Sequence, residues 1–469
     1  MSPFWIKTLQ LLLCFALLII LHEGGHFFFA KLFGIRVEKF FMFFDYKFHL
    51  FSTKDKWFKR LFPKISQNET EYGIGWIPLG GYVKISGMID ESMDLEQMKQ
   101  PVQPWEFRSK SVWQRFLVMV GGVLVNFLLA LFIYAMILFA WGRDSLPIRS
   151  IDHGFSYNEM AEAVGFRDGD IPVAADGLPI ETWDATVYRI ISEAKTITVL
   201  RDGGEVLLTM PSEGLNLLDM LDTDPRFLSV NVPARVDSVL PESPAALVGM
   251  KKGARILEID GKPVDWWSDF DAIMGRKADI LAVGCSHEDS LRLRSLPIVF
   301  SNEEGTTPDT VVIQLDENYM LGIVKQPYQL FYKEAYVHHD YGFFASIPAG
   351  ITYGWETLKG YVSDLKYVFS KKGAQSVGSF GTIGNLFPAV WDWASFWNIT
   401  AFISLMLAFM NILPIPGLDG GHIFFLLVEA VTRRPPSEKF MERAQYVGMI
   451  LILALMALAI FNDVVKFLF

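Results

Sequence analysis

Two histidines and a glutamate interrupt an apolar run near the start of the chain, in LHEGGHFFFA at residues 21–30. On a helix, His22 and His26 lie one turn apart on the same face, because four residues are close to the helical period. Two imidazoles in this arrangement can share one zinc ion with Glu23 beside them as a general base, which is the chemistry of metal-assisted hydrolysis. Ionisable groups inside a membrane span are costly and usually functional, so we favour a metal site over polar residues satisfied within a helix bundle.

A catalytic zinc ion needs a third protein ligand and an open position for water. The second polar cluster within an apolar stretch is NILPIPGLDGGH, at residues 411–422. Asp419 is the candidate third ligand, and His422 competes for the same position. The prolines and glycines of this stretch predict a broken helix, and broken backbone at membrane depth is tolerated where it lines a protein cavity.

Composition indicates the kind of scaffold that holds these residues. The chain has 469 residues, of which 51% are hydrophobic and only 20% charged, and this predicts an integral membrane protein. Its formal net charge is −10, and no Lys/Arg-rich tract gives support for nucleic-acid binding.

Four stretches are long enough to cross the hydrocarbon core, which needs about 20 apolar residues. The first lacks the basic start and small-residue cleavage site of a signal peptide, so we expect it to be retained. The predicted transmembrane helices are residues 1–33, 116–141, 393–430 and 444–466.

The basic residues near the ends of the spans predict the orientation. Residues 31–64 carry nine Lys and Arg against three Asp and Glu, and the connector 432–443 is also basic. Because cytoplasmic loops are enriched in Lys and Arg, both segments are predicted to be cytoplasmic. Both chain termini and the region 141–391 then face outward, and Asp419 lies at the cytoplasmic end of the third span.

The outward region contains an internal repeat. Residues 161–180 and 244–264 share the order Ala, Gly, a charged pair with Gly, and a strand candidate that ends in the turn signal Asp-Gly. The pattern resembles two PDZ domains in tandem, which we place at residues 144–213 and 228–325; two unrelated small α/β modules are the alternative. Residues 319–324 could form the carboxylate-binding edge of the second module.

The aromatic-rich segment 342–371 follows the repeat. Its Pro348 and Gly350 argue against a clean fifth span, and a fifth span would place Asp419 on the opposite side of the membrane from His22. We therefore predict an amphipathic segment that lies on the outer membrane interface.

The two metal-site motifs together resemble those of the site-2 protease family of intramembrane zinc metalloproteases. In particular, they resemble those of the bacterial branch of regulator-of-sigma-E proteases, which have tandem PDZ domains. Residues 77–87 resemble the membrane-reentrant hairpin of the family, and residues 110–122 resemble its lead into the second span. The resemblance implies a polytopic α-helical membrane protein with four transmembrane helices, a membrane-reentrant β-hairpin within residues 34–115 and two periplasmic α/β PDZ domains.

The resemblance also implies roles for the motif residues. His22, His26 and Asp419 would hold Zn²⁺, the only cofactor expected, and Glu23 would be the catalytic base. Asn411 would contact the substrate or the developing oxyanion.

Further positions are implied for substrate binding. Gly80, Gly81 and Tyr82 lie in the hairpin, which could hold an unwound substrate segment by strand addition, and Asn126 lies in the second span. A structural loop on the cytoplasmic side is the alternative for the hairpin.

Two positions depart from the family pattern. Gly24 stands where a bulkier residue is common, and Val123 stands where the second span usually has a proline. A flexible motif helix and a different kink in the second span are expected from these changes.

The implied function is hydrolysis within or near the transmembrane segments of single-span proteins, after a first cleavage on the outer side. Anti-sigma factors and remnant signal peptides are the substrates that the resemblance suggests. The implied location is a bacterial inner membrane, with the PDZ domains and both termini periplasmic and the active site towards the cytoplasm. The PDZ pair would contact substrate C-termini or act as a size filter over the bilayer.

Two other classes of function are alternatives to proteolysis. An inactive relative could act through the PDZ pair as an adaptor or chaperone for membrane proteins. A zinc transporter would need a polar path across several spans, whereas only the first and third predicted spans carry polar clusters. The intact set of His22, Glu23, His26 and Asp419 favours an enzyme.

Overall fold

The helices and strands come from a computed structural model of the full chain. It describes residues 2–78, 80–88, 100–211, 215–223, 225–282, 287–303, 307–316, 319–368 and 370–468. The chain divides into two compact units, one formed by Met1–Gly142 with Asp340–Phe469 and the other by Arg143–His339.

Seventeen helices are numbered in chain order within these described residues. They are α1 (Pro3–Leu32), α2 (Lys56–Leu61), α3 (Pro63–Ser66), α4 (Val112–Trp141), α5 (Glu159–Val164), α6 (Thr186–Glu193), α7 (Leu217–Leu221), α8 (Pro244–Leu247), α9 (Trp267–Ala282), α10 (His287–Arg294), α11 (Tyr328–Phe331), α12 (Phe343–Val368), α13 (Lys371–Ser376), α14 (Phe380–Leu386), α15 (Trp393–Ile412), α16 (Asp419–Thr432) and α17 (Glu438–Leu468).

The strands are numbered in the same way. They are β1 (Val37–Met42), β2 (Phe44–Ser52), β3 (Glu71–Ile77), β4 (Tyr82–Ile85), β5 (Arg143–Pro147), β6 (Phe155–Tyr157), β7 (Ile171–Ala175), β8 (Leu178–Pro179), β9 (Thr182–Trp183), β10 (Thr196–Arg201), β11 (Gly204–Thr209), β12 (Leu228–Val230), β13 (Val236–Val239), β14 (Arg255–Ile259), β15 (Lys262–Pro263), β16 (Ser295–Ser301), β17 (Asp309–Gln314), β18 (Ile323–Lys325) and β19 (Val337–His339).

Four helices of the first unit are long and apolar enough to cross a membrane. They are α1, α4, α15 and the part of α17 from Lys439 to Lys466. The prediction of four membrane-spanning helices is therefore confirmed. Helix α4 begins after a capping box, in which Ser111 and Gln114 each satisfy a backbone N–H of the other, and Gly142, with a φ of 64°, follows its last residue.

The third predicted span, residues 393–430, is two helices rather than one. Helix α15 ends at Ile412, and α16 begins at Asp419. Two prolines in the link have no backbone N–H to continue a helix, and Gly417 has a φ of 96°, which other residues rarely adopt. Because of this break, the candidate third ligand, Asp419, is the first residue of a new helix.

A four-stranded sheet lies beside the C-terminal half of α1. Its strand order is β2-β3-β1-β4, with β1 parallel to β3 and the other pairs antiparallel. A Cβ at Gly81 would lie 2.6 Å from the Ile19 side chain and 2.8 Å from the Phe41 carbonyl, so glycine allows the sheet to approach the motif helix. Strand β4 is thereby an edge strand next to α1.

The segment 342–371 differs from its prediction. It forms helix α12, which is continuous through Pro348 and packs along α4, where a Cβ at Gly350 would lie 2.5 Å from the Ala135 backbone. Further along, the ring of Tyr361 is 5.8 Å from that of Phe409, near the end of α15. These contacts run along the lengths of α4 and α15. They do not fit the predicted segment that lies flat on the outer membrane interface.

The chain then returns along α1. The Phe380 ring is 5.7 Å from that of Phe15, and Lys7 Nζ donates to Asn385 Oδ1 at 3.0 Å, close to the start of α1. Helices α12 to α14 therefore form a helical hairpin that leads back to the start of α15. The objection to a fifth crossing still holds, because the hairpin begins and ends at the same end of the bundle.

The second unit contains two similar sheets. Their orders are β11-β10-β7-β8 and β15-β14-β16-β17, and each has an Asp-Gly turn after its repeat strand. Asp176 and Gly177 have φ angles of 48° and 78°, and Asp260 and Gly261 have 50° and 73°. Strand β12, which lies in the range predicted for the second module, pairs instead with β6 of the first.

Candidate metal centre

The three predicted metal ligands meet between α1 and the start of α16. Asp419 Oδ2 is 3.1 Å from His22 Nε2 and 3.3 Å from His26 Nε2. The two Nε2 atoms are 3.3 Å apart. Within the described residues this is the one group of three His, Cys, Asp or Glu side chains that is suited to a metal ion, and His422 does not belong to it.

The spacing of these atoms fits a zinc ion. Bonds of about 2.0–2.1 Å in a tetrahedral arrangement place neighbouring ligand atoms about 3.3 Å apart. Asp419 Oδ2 is buried without a well-aligned hydrogen-bond donor, although both imidazole nitrogens are within 3.3 Å of it. Two imidazoles and one carboxylate are also a donor set of catalytic zinc sites, in which a fourth position stays open.

Helix α4 supplies no metal ligand but orients His26. The His26 Nδ1 atom is 2.8 Å from the Val118 carbonyl oxygen, so Nδ1–H donates to that carbonyl and Nε2 keeps its lone pair for a metal. The sequence analysis missed this partner, because a backbone carbonyl carries no residue-type signal.

Glycines allow α1 and α4 to approach closely at the motif. A Cβ at Gly25 would overlap the Gly121 carbonyl, and a Cβ at Gly122 would overlap the imidazole of His26. A Cβ at Gly24, by contrast, would meet no atom within 4 Å. The glycine that the packing requires is thus Gly25, and the departure at Gly24 leaves the helix contact unchanged.

Two asparagines flank His22. Asn126 Nδ2 is 3.4 Å from His22 Nδ1, and Asn411 Nδ2 is 3.5 Å from His22 Nε2. Asn126 is buried, and its backbone carbonyl accepts a hydrogen bond from Ser404 Oγ at 2.7 Å. This position behind the histidine suits orientation of the imidazole rather than the predicted contact with substrate, whereas Asn411 lies on the Nε2 side.

The predicted hairpin residues lie at the start of the edge strand. A Cβ at Gly80 would lie 2.7 Å from the Phe44 ring, and the Tyr82 hydroxyl donates to Asp45 Oδ1 at 3.0 Å. In the same strand, the backbone of Val83 is hydrogen-bonded to the carboxylate of Glu23. The candidate base Glu23, which belongs to the motif helix α1, is therefore held against strand β4.

An ion pair that the sequence analysis missed attaches α16 to α4. Arg115 Nη2 is 2.6 Å from Glu429 Oε1, both side chains are largely buried, and Arg115 Nε also donates to the Lys110 carbonyl at 3.1 Å. The available signal was a lone acid inside the apolar run after Asp419, opposite an arginine at the start of the second span. The pair fixes the helix whose first residue is the third ligand.

Comparisons with known proteins agree with this arrangement. The sequence model of Peptidase family M50 matches residues 10–455. Regulator of sigma-E protease RseP of Escherichia coli strain K12 is 28% identical over 476 residues, which are 95% of each chain. A Vibrio cholerae protein named as a zinc metalloprotease is 27% identical over 477 residues, covering 96% of this chain and 97% of that one.

Protease RseP of Yersinia pestis is similar over a still larger share, with 27% identity over 485 residues and 99% of each chain covered. The family match begins before the histidine pair and ends beyond Asp419, so it includes every span that contributes to the metal centre. The chain therefore belongs to Peptidase family M50, the site-2 protease family, and it is an intramembrane zinc metalloprotease.

Proposed function

We propose that this protease hydrolyses peptide bonds within or next to the transmembrane segments of single-span membrane proteins, after a first cleavage on the outer side. The observation that carries the proposal is the convergence of His22, His26 and Asp419 within 3.3 Å of one another, on helices long and apolar enough to lie in a bilayer. A peptide bond must reach this depth to be cleaved, so membrane segments are the substrate class that fits.

The roles follow from the position of each side chain. His22, His26 and Asp419 would hold the zinc ion, which when bound supplies Lewis acidity that activates water and polarises a peptide carbonyl. Glu23, fixed by the backbone of Val83, accepts the proton of the attacking water and passes it to the leaving nitrogen.

Asn411 is suited to the other end of the reacting carbonyl. Its amide nitrogen lies 3.5 Å from His22 Nε2, on the side of the imidazole that faces the other ligand atoms. A hydrogen bond from that amide to the developing oxyanion would strengthen as negative charge forms.

The substrate helix must unwind before its carbonyls become accessible, because they are hydrogen-bonded within the helix. Strand β4 pairs with β1 on one side, and within the described residues no strand covers its other edge. An unwound segment could add to this edge and satisfy its backbone there, with Gly80, Gly81 and Tyr82 at the entrance. In this arrangement Glu23 lies next to the added strand.

The second unit contains the two repeat modules, which we interpret as PDZ domains. The basic segments 31–64 and 432–443 support an orientation with this unit and both termini in the periplasm and the metal centre towards the cytoplasm of a bacterial inner membrane. A size filter and a docking site for substrate C-termini are the two roles that the modules could have.

The test of this function is Glu23→Gln in the full chain. The substitution removes the base and keeps all three metal ligands, so we expect no measurable cleavage of a single-span substrate in proteoliposomes and unchanged zinc content. In cells, membrane-embedded fragments should accumulate with this variant and not with wild type. Cleavage at the wild-type rate would show that another group is the base.

A further inference from the structure

The segment between β2 and β3 presents an exposed surface that combines apolar and basic side chains. Its apolar members are Trp57, Leu61, Phe62 and Ile65, which are between 45% and 64% exposed. Its basic members are Lys56, Lys59, Arg60 and Lys64, and we call the eight residues the aromatic–basic ledge. Trp57 and Leu61 are one turn apart on α2, so they lie on one face of that helix.

The ledge is positively charged in a chain whose net charge is negative. The only acids in residues 44–66 are Asp45 and Asp55, against six Lys and Arg. Asp45 Oδ2 is 3.2 Å from Lys39 Nζ, and Asp55 Oδ1 is 2.9 Å from His49 Nε2, so both acids are already paired outside the ledge. Among the residues that the structure describes, none forms an ion pair with the four basic side chains of the ledge.

The ledge lies at the inner end of α1. At the other end of the sheet, Gly81 contacts Ile19, which is within the span. At the near end, Ser52 Oγ donates to Glu71 Oε1 at 2.5 Å, and Glu71 pairs in register with Lys39, soon after α1 ends. Helix α2 begins four residues after Ser52, so it lies at the same end of the sheet as Glu71 and Lys39.

Packing holds the ledge in this position. The ring of Phe51, in β2, is 5.8 Å from that of Trp57 and 5.2 Å from that of Phe58. Lys54 Nζ also donates to the carbonyls of Ser66 and Asn68, at 2.8 and 2.7 Å, which closes the segment onto itself. The exposed apolar side chains are therefore presented by an ordered element.

We propose that the aromatic–basic ledge binds the anionic phospholipid headgroups of the bilayer that holds the spans. Tryptophan and aliphatic side chains insert at the boundary between headgroups and acyl chains, and each Lys or Arg near an anionic surface adds electrostatic attraction. The same sheet carries β4 beside Glu23, so binding at the ledge fixes the depth of the edge strand. The lipid-binding proposal does not depend on the proposed substrate class.

A polypeptide, such as an acidic cytoplasmic tail, is the other occupant that the charge would attract. The structure favours the lipid because the ledge follows a strand of the sheet that contacts the candidate membrane-spanning helix α1, and it exposes large apolar side chains next to the charges. The two occupants predict different results in the following experiment.

The experiment is hydrogen–deuterium exchange of the full chain in nanodiscs. One set contains phosphatidylcholine alone, and the other contains about 30 mol% phosphatidylglycerol. Amides of residues 53–68 should exchange about tenfold more slowly in the anionic nanodiscs. The variant Lys56→Gln, Lys59→Gln, Arg60→Gln, Lys64→Gln should lose this difference.

A matched control replaces four exposed lysines of the second unit with glutamine, namely Lys195, Lys251, Lys252 and Lys262. This variant should keep the wild-type dependence on lipid at residues 53–68. Equal exchange of that segment in both nanodiscs would overturn the proposal. Protection that needs an added acidic peptide, and is the same in both lipids, would assign the ledge to a polypeptide instead.

Discussion

Two adjacent glycines in the metal-binding motif have opposite surroundings, and this leads to a matched pair of substitutions. Gly25→Ala forces a methyl group into the Gly121 carbonyl, so we expect the helices to separate, with a loss of about 1–3 kcal/mol of stability or more and a lower zinc content. Gly24→Ala adds a methyl group in open space and should be tolerated, with a gain of up to about 1 kcal/mol in helix stability.

Thermal unfolding and metal analysis of the two purified variants check this prediction. The motif alone does not distinguish the two positions, since both are glycines between the histidines. If Gly24→Ala proved as damaging as Gly25→Ala, the close contact between α1 and α4 would not be what requires glycine.

At the residue scale, the sequence predicts the side chains of the metal centre and not their supports. His22, His26 and Asp419 could be chosen because ionisable groups in apolar segments are costly and conspicuous. The Val118 carbonyl could not, because its role depends on the register between α1 and α4. Asn126 was predicted to bind substrate from the family resemblance, whereas its burial behind His22 could not be predicted because it depends on packing.

At the scale of elements, the ion pair between Arg115 and Glu429 should affect zinc retention, because it positions the helix α16 that begins with Asp419. Glu429→Gln leaves the Arg115 guanidinium buried without its charge partner, so we expect α16 to shift and zinc to be lost at lower chelator concentration. The matched control is Arg108→Gln, which breaks a similarly buried 2.6 Å pair with Glu106 before α4 begins.

Chelator competition and helix content, measured on both variants, distinguish positioning from general stability. Positioning predicts weaker zinc retention in Glu429→Gln at unchanged helix content, with the control close to wild type. Equal zinc loss in both variants would mean that the pair only stabilises the protein.

Hydropathy was sufficient to predict the four spans, because length and apolar content determine them. Hydropathy did not predict that α12 packs along α4, and Pro348 and Gly350 were interpreted as evidence against a clean fifth span. Pro348 lies in the second turn of α12. Because proline has no backbone N–H, one hydrogen bond to the carbonyl of Phe344 is absent, and Phe344 is highly exposed. The small residues that pack α12 on α4 have no distinct signal in a single sequence.

At the scale of the whole molecule, the role of the second unit can be tested by removing it. Strands β5 and β19 carry the chain into and out of this unit, and Ser145 pairs with Val337 between them. A short Gly-Ser linker in place of residues 148–336 therefore joins two ends that are already close. If the unit is a size filter, the shortened protein should cleave full-length substrates and should still cleave trimmed ones.

The measurement is the rate at which the shortened protein cleaves full-length and trimmed substrates in proteoliposomes, with the intact chain as reference. A docking role predicts the reverse, namely loss of cleavage of trimmed substrates and no cleavage of full-length ones. The internal repeat predicted the two Asp-Gly turns, which require the positive φ angles that the structure shows. The pairing of β6 with β12 was beyond sequence analysis, since it joins segments about 70 residues apart across the predicted boundary.

The identity of the third metal ligand is the central claim, and zinc analysis of two single variants tests it most directly. Asp419→Ala removes the carboxylate oxygen that lies within 3.3 Å of both histidine nitrogens, whereas His422→Ala changes a residue outside that group. We expect one zinc ion per chain in wild type and in His422→Ala, and strongly reduced zinc in Asp419→Ala. Full zinc in Asp419→Ala together with loss in His422→Ala would contradict the assignment.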